Sequence, residues 1–220
     1  MLAGNQQGSR QLNPAVLAAA SLALVYLVLS VRPPGLARSL VKTASVALLA
    51  LAALQAGAPA LLAAAFLACA AGDALLSRHG GRAFAAGTGA FAAGHLLYIL
   101  LFVSDPASAP ARLLVLPATA AAGGLILLGL AAARLLAPRA GGLRPAVLAY
   151  IPVILGMGLA ALTLPPGPVL AAACAFMASD LILAAETFLL PPGHRARRVT
   201  PYAVWILYWG AQAGFFAAFA

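Results

Sequence analysis

The chain has 220 residues, of which 64% are hydrophobic and only 8% charged. A soluble domain carries roughly 25% charged residues, so a water-soluble fold is excluded and a single transmembrane domain over residues 1–220 is expected. The formal net charge of +9 does not imply nucleic acid, because the basic residues fall one to three at a time between apolar runs, as topology determinants do.

A bilayer core takes about 20 apolar residues per helix, and Pro, Gly and Arg clusters interrupt the sequence at that interval. In chain order, spans are predicted near 13–31, 40–56, 59–77, 83–103, 113–133, 145–163, 168–190 and 200–219. The fold class is therefore all-α, a polytopic membrane bundle of about eight transmembrane helices. The first span is kept as a helix and not a cleaved signal peptide. Its apolar run is long, and Arg32, Pro33 and Pro34 follow it where a small-x-small site would stand. The connections after spans 1, 3, 5 and 7 carry Arg32, Arg38, Arg78, Arg82, Arg134, Arg139, Arg144, Arg195, Arg197 and Arg198. With Lys42, just inside span 2, that makes eleven of the thirteen basic residues, and only Arg10 and Arg112 fall on the other side. The positive-inside rule then puts the Arg-rich loops in the cytoplasm and both termini outside. The Ala- and Arg-rich composition suggests a bacterial inner membrane. Gly87, Gly89, Gly94, Gly123, Gly124, Gly156 and Gly158 lie within spans. Small residues let helices approach closely, which predicts a compact bundle.

Four acids exist. Asp105, beside Pro106, reads as a turn residue. Asp73, Asp180 and Glu186 lie within apolar spans, where a charge costs at least about 2.5–3.5 kcal/mol at mid-helix and needs a partner. Asp73 is four residues from the end of span 3, roughly 6 Å deep, with Ser77 on the same face. Asp180 lies nearer mid-span, beside Ser179. Glu186 reads as an interfacial residue pairing with Arg195 or Arg197. Span 4 places Phe84, Gly87, Phe91, His95 and Tyr98 on one stripe. Span 8 adds Trp205, an interfacial-belt candidate, with Tyr208 and Gln212 four apart on one face. Span 6 offers Tyr150 and Met157. Cys69 and Cys174 read as small buried hydrophobes. No multi-histidine or cysteine cluster suggests a metal, and no cofactor is expected. Three functions fit these residues: a lipid hydrolase with paired carboxylates as acid and base, a small proton-coupled carrier, and an assembly subunit whose polar groups join helices.

The strings Gly72-Asp73-Ala74-Leu75-Leu76, Phe91-x-x-x-His95-x-x-Tyr98, Ser179-Asp180-Leu181-Ile182-Leu183-Ala184 and Tyr208-x-x-x-Gln212, in this order, resemble the YhhN family of lysoplasmalogenase-like membrane proteins. Lys42, Tyr150 and Met157 also resemble its pattern, and the similarity runs from about residue 38 to 217. One departure is Thr43, where the family pattern has proline after the lysine. The resemblance implies an eight-span helical fold. It also implies hydrolysis of the vinyl ether of a lysophospholipid to a fatty aldehyde and a glycerophospho-head group; a different lysolipid substrate stays open. In that reading Asp73 and Asp180 form the acid–base pair if helices 3 and 7 are neighbours. His95, Tyr98, Tyr208, Gln212, Ser179 and Tyr150 support them, and Lys42 is the candidate for the lipid phosphate. The expected partners are the bilayer and its lysolipid.

Overall fold

The structure, a computed structural model, describes residues 13–220. Eight α-helices follow one another: α1 (Pro14–Leu29), α2 (Leu36–Gln55), α3 (Ala60–Leu76), α4 (Gly81–Val103), α5 (Ala118–Leu136), α6 (Arg144–Leu162), α7 (Pro168–Phe188) and α8 (Thr200–Phe219). No strand occurs among the described residues. Punctuation in the sequence sets the boundaries. Asn13 caps α1 by accepting from the Ala15 N–H at 2.8 Å. Pro occupies the first turn of α1, α6, α7 and α8, where its missing N–H costs nothing. Gly57, Gly80 and Gly193 take positive φ in the connections.

α2, α4 and α7, together with Ala118–Arg139 and Gly141–Leu162, are long and apolar enough to cross a bilayer. α1 and α3 are apolar but shorter, at 16 and 17 residues. α8 has the length, but Tyr202, Trp205, Tyr208, Trp209 and Gln212 interrupt its apolar run. The chain is a helical membrane bundle with all eight predicted helices present. Two boundaries differ from expectation by more than three residues. α2 begins at Leu36, four residues early, directly after the Pro33–Gly35 break. Span 5 begins five residues late, because Pro110–Leu114 winds as a 3₁₀ turn before α5. Arg10, one of the basic residues expected on the opposite side, lies outside the described residues.

The helices close a ring. α1 packs on α2, α2 on α3, α3 on α4, α4 on α6, α6 on α7 and α7 on α8, and α8 returns to α1, α2 and α3. α5 stands outside, held mainly by α6, and exposes Ile126, Leu127, Leu128 and Leu130. The tightest seam is α3–α4, where glycines meet bulk across the interface. A Cβ on Gly72 would lie 2.6 Å from Phe91, one on Gly87 2.8 Å from Leu76, and one on Gly94 2.7 Å from the Cys69 sulfur. The small residues therefore act as expected, by letting backbones approach. Aromatic rings fill the half of the bundle away from the Arg-rich connections. Tyr98, Phe102 and Phe215 interlock there, and all three are buried.

Candidate active site

A cavity of about 680 Å³ opens in the half of the bundle that carries the Arg-rich connections. Residues from the ends of α1–α2, α3–α4, α5–α6 and α7–α8 line it, including Pro34, Arg38, Arg78, Leu136, Phe188 and Pro201. Of the residues singled out in the sequence, Lys42, Asp73, Tyr150, Ser179, Asp180 and Tyr208 line this cavity. His95 sits behind its wall, and Tyr98 and Gln212 lie deeper in the bundle.

Asp73 is fully buried near the end of α3. Lys42 Nζ lies 2.7 Å from its Oδ1, an ion pair by distance though without hydrogen-bond alignment at that oxygen. The Tyr208 hydroxyl donates to Oδ2 at 2.8 Å. The lysine ammonium also stands 5.8–6.0 Å from the ring centres of Tyr26, Trp205 and Tyr208, within cation–π range. Burying an unpaired carboxylate is costly, and a close cation with added donors is what makes it tolerable. Lys42, the residue expected to meet a lipid phosphate, is here paired with Asp73.

Asp180, on α7, has a different set of partners. The Tyr150 hydroxyl from α6 donates to Oδ2. His95 Nε2 lies 2.7 Å from the same hydroxyl oxygen and 3.4 Å from Asp180 Oδ2. Since the Tyr150 proton goes to the carboxylate, its oxygen is free to accept from His95, which assigns the imidazole proton to Nε2. His95 Nδ1 has no partner among the described residues. The rings of Phe176 and Phe91 separate and join the two networks. Phe176 lies 4.5 Å from His95 and 5.2 Å from Tyr208, centre to centre.

Helices α3 and α7 are not packing partners as the acid–base expectation required. Each packs instead on α8, and the two carboxylates reach one cavity from separate walls, each with its own donors. Tyr98 donates to Gln212 Oε1 in a separate buried pair, which fastens α4 to α8, and Gln212 Nε2 has no partner among the described residues. The Ser179 hydroxyl donates to the Val204 carbonyl at 3.0 Å, joining α7 to α8 beside Asp180. Ser77 bonds the Asp73 main-chain carbonyl at 2.7 Å and not its carboxylate.

Other sequence expectations resolve in kind. Glu186 pairs with Arg197, Nη1 to Oε1 at 3.6 Å, and accepts from Thr200. Asp105 closes a turn by accepting from the Ala107 N–H at 2.8 Å. Trp205 is not an interfacial-belt residue. It is buried, and its Nε1 donates to the Ala23 carbonyl at 2.9 Å, tying α8 to α1. Cys69 is buried as expected, but Cys174 is exposed on α7. Tyr26 on α1 also faces Lys42, and the sequence alone does not indicate it. One aromatic in an apolar span carries no local signal of the lysine it faces from another helix.

No group of three or more metal-ligating side chains occurs among the described residues. The YhhN family profile matches residues 37–219, which span Lys42, Asp73, His95, Tyr150, Asp180, Tyr208 and Gln212. No curated protein and no solved structure matches the chain. A family match over this much of the sequence, on an eight-helix bundle, places the chain in the YhhN family.

Proposed function

We propose that the protein is a lysoplasmalogenase-like hydrolase that cleaves the vinyl ether of a single-chain phospholipid, with Asp180 as acid and Asp73 as base. The observation that carries this reading is the cavity itself. Two intramembrane carboxylates with different partners face one space that is polar at the Arg-rich end and apolar between the helices. Asp73 is charge-compensated by Lys42 and suits the carboxylate role. Asp180 has hydrogen-bonding neighbours but no Lys or Arg within 4.0 Å among the described residues. Asp180, without a cationic partner, suits the acid role.

Asp180 gives its proton to the vinyl carbon distal to oxygen, and the double-bond electrons form that C–H bond, leaving an oxocarbenium ion. Asp73 stabilises the cation and takes a proton from water as the water oxygen bonds to the cationic carbon. The product is a hemiacetal. It collapses when Asp180 takes back the hemiacetal hydroxyl proton and Asp73 protonates the glycerol oxygen as the carbon–oxygen bond breaks. A fatty aldehyde and a free glycerol hydroxyl result, with both carboxyls restored. Tyr150 and His95 hold Asp180 in place, and Tyr208 holds Asp73.

Asp73→Asn and Asp180→Asn should each lower aldehyde release by at least about a hundredfold, the scale of positioned acid–base catalysis, with normal expression and elution. Full activity in either variant rejects the assignment. A proton-coupled carrier would need a second access path. The packed aromatics Tyr98, Phe102 and Phe215 occupy that half of the bundle, which favours a blind pocket. Proton-coupled flux in liposomes without lipid turnover would reverse that preference.

A further inference from the structure

Two arginines that line the cavity are not paired with its acids. Lys42 is taken by Asp73, and across the mouth Glu186 is taken by Arg197. Arg38 and Arg78 line the same cavity, and neither has a carboxylate within 4.0 Å among the described residues. Arg38 makes one side-chain hydrogen bond, Nη1 to the Arg32 carbonyl at 2.8 Å. Its guanidinium also stands over the Tyr26 ring, 5.9 Å from the centroid, and Arg78 is exposed. Two uncompensated guanidiniums at a cavity mouth suit a tetrahedral oxyanion, which they bind with charge-assisted and often bidentate hydrogen bonds.

The opposite end of the cavity is apolar and reaches the lipid side. Leu128 of α5 and Leu181 of α7 both line it, yet they are 40% and 41% exposed. A side chain that is both wall and surface marks an opening, and α5 touches α7 only slightly, with α6 as the floor of the gap. Between the two ends stand the carboxylates. Arg38 and Lys42 are one turn apart on α2, roughly 6 Å along the axis. A group on Arg38 is therefore separated from the Lys42–Asp73 pair by about the reach of a glycerol.

We propose that Arg38 and Arg78 form a subsite for the phosphate of a one-chain lipid whose hydrocarbon lies in the cleft between α5 and α7. The proposal rests on the cavity being a lysolipid site and adds where charge and chain go, replacing Lys42 as the phosphate ligand. The order phosphate, glycerol, scissile bond, chain then matches the order Arg38 and Arg78, α2 turn, carboxylates, apolar cleft.

Binding to a lipid that cannot be cleaved tests this apart from catalysis. The probes are a saturated-ether lysophosphatidylcholine, the 1-alkylglycerol of the same chain length, and inorganic phosphate. Trp205 lines the cavity, so tryptophan fluorescence of the full chain in neutral detergent reports binding. Wild type should bind the phosphate-bearing lipid at least about tenfold more tightly than the alkylglycerol, the value of a charged hydrogen bond. The Arg38→Gln/Arg78→Gln double variant should lose that ratio, Arg78→Gln alone should lose part of it, and Arg38→Lys should keep most of it. Arg134→Gln removes a charge at the same end but outside the cavity, and should leave the ratio intact. An undiminished ratio in both the double and the Arg78→Gln variants would overturn the subsite, as would an equal loss in Arg134→Gln. Inorganic phosphate binding as tightly as the phospholipid would overturn the lipid assignment. Because the probe is not hydrolysed, a protein that binds with this preference but cleaves no vinyl ether would contradict only the proposed reaction.

Discussion

Asp73 depends on Lys42 more than Lys42 depends on Asp73, because the carboxylate is fully buried while the lysine side chain is 19% exposed. Lys42→Met leaves a fully buried carboxylate without its cation, and removing one partner of a buried pair costs about 3 kcal/mol or more. Its thermal unfolding in detergent should fall well below wild type, and Lys42→Met/Asp73→Asn should recover much of the loss. Recovery would show that the cost lies in the orphaned charge, whereas equal instability in both variants would show that Lys42 packs for its own sake. At the second carboxylate, Tyr150→Phe keeps the ring and deletes the donor to Asp180. Loss of the hydrogen bond that holds the Asp180 carboxyl predicts about fivefold to tenfold slower turnover, with the change in kcat and little in KM. Both carboxylates were legible in the sequence because charge inside an apolar span stands out. Their partners were not, since Lys42–Asp73 and Tyr150–Asp180 join helices that sequence periodicity cannot pair. Periodicity gives the face of a helix but leaves open which neighbour that face meets.

The α3–α4 seam makes a prediction about elements. Gly87→Val would force a side chain against Leu76, including its main-chain nitrogen, which lies 3.1 Å from the Cβ position. Overpacking a close helix contact costs about 1–3 kcal/mol. On the same helix Gly89 has nothing within 4 Å of its Cβ position. Thermal unfolding should therefore separate a destabilised Gly87→Val from a near-neutral Gly89→Ala, and parity between them would remove the close-packing account. Helix number and most boundaries followed from Pro, Gly and Arg punctuation. The delayed start of α5 did not, because residues 113–117 are apolar in composition while Pro110 and Pro117 favour a short 3₁₀ turn and a fresh helix start. The sequence left open whether helices 3 and 7 are neighbours. They are not packed together: α8 stands as their common partner and supplies Tyr208 to one wall.

Taken as a whole, the molecule places its cavity and both intramembrane aspartates in one half of a helical membrane bundle. Packed aromatics fill the other half, and the cavity opens toward charged loops and an apolar cleft. This asymmetry could not be read from hydropathy, which treats both ends of an apolar span alike. It suits a reaction that brings water to an amphiphile and returns two products of opposite solubility. The proposed steps place a solvent-derived proton on carbon, so turnover in D₂O should leave one deuterium on the aldehyde carbon next to the carbonyl. Turnover in ¹⁸O-labelled water should place the label in the aldehyde and not in the glycerol hydroxyl. The most direct measurement is release of fatty aldehyde from a vinyl ether lysophospholipid by the purified wild-type, Asp73→Asn and Asp180→Asn proteins, each verified as folded. The account predicts aldehyde and glycerophospho-head group in equal amounts from the wild type, and loss of both in each variant. Wild-type protein that releases no aldehyde, or an aspartate variant that releases it at the wild-type rate, would contradict it.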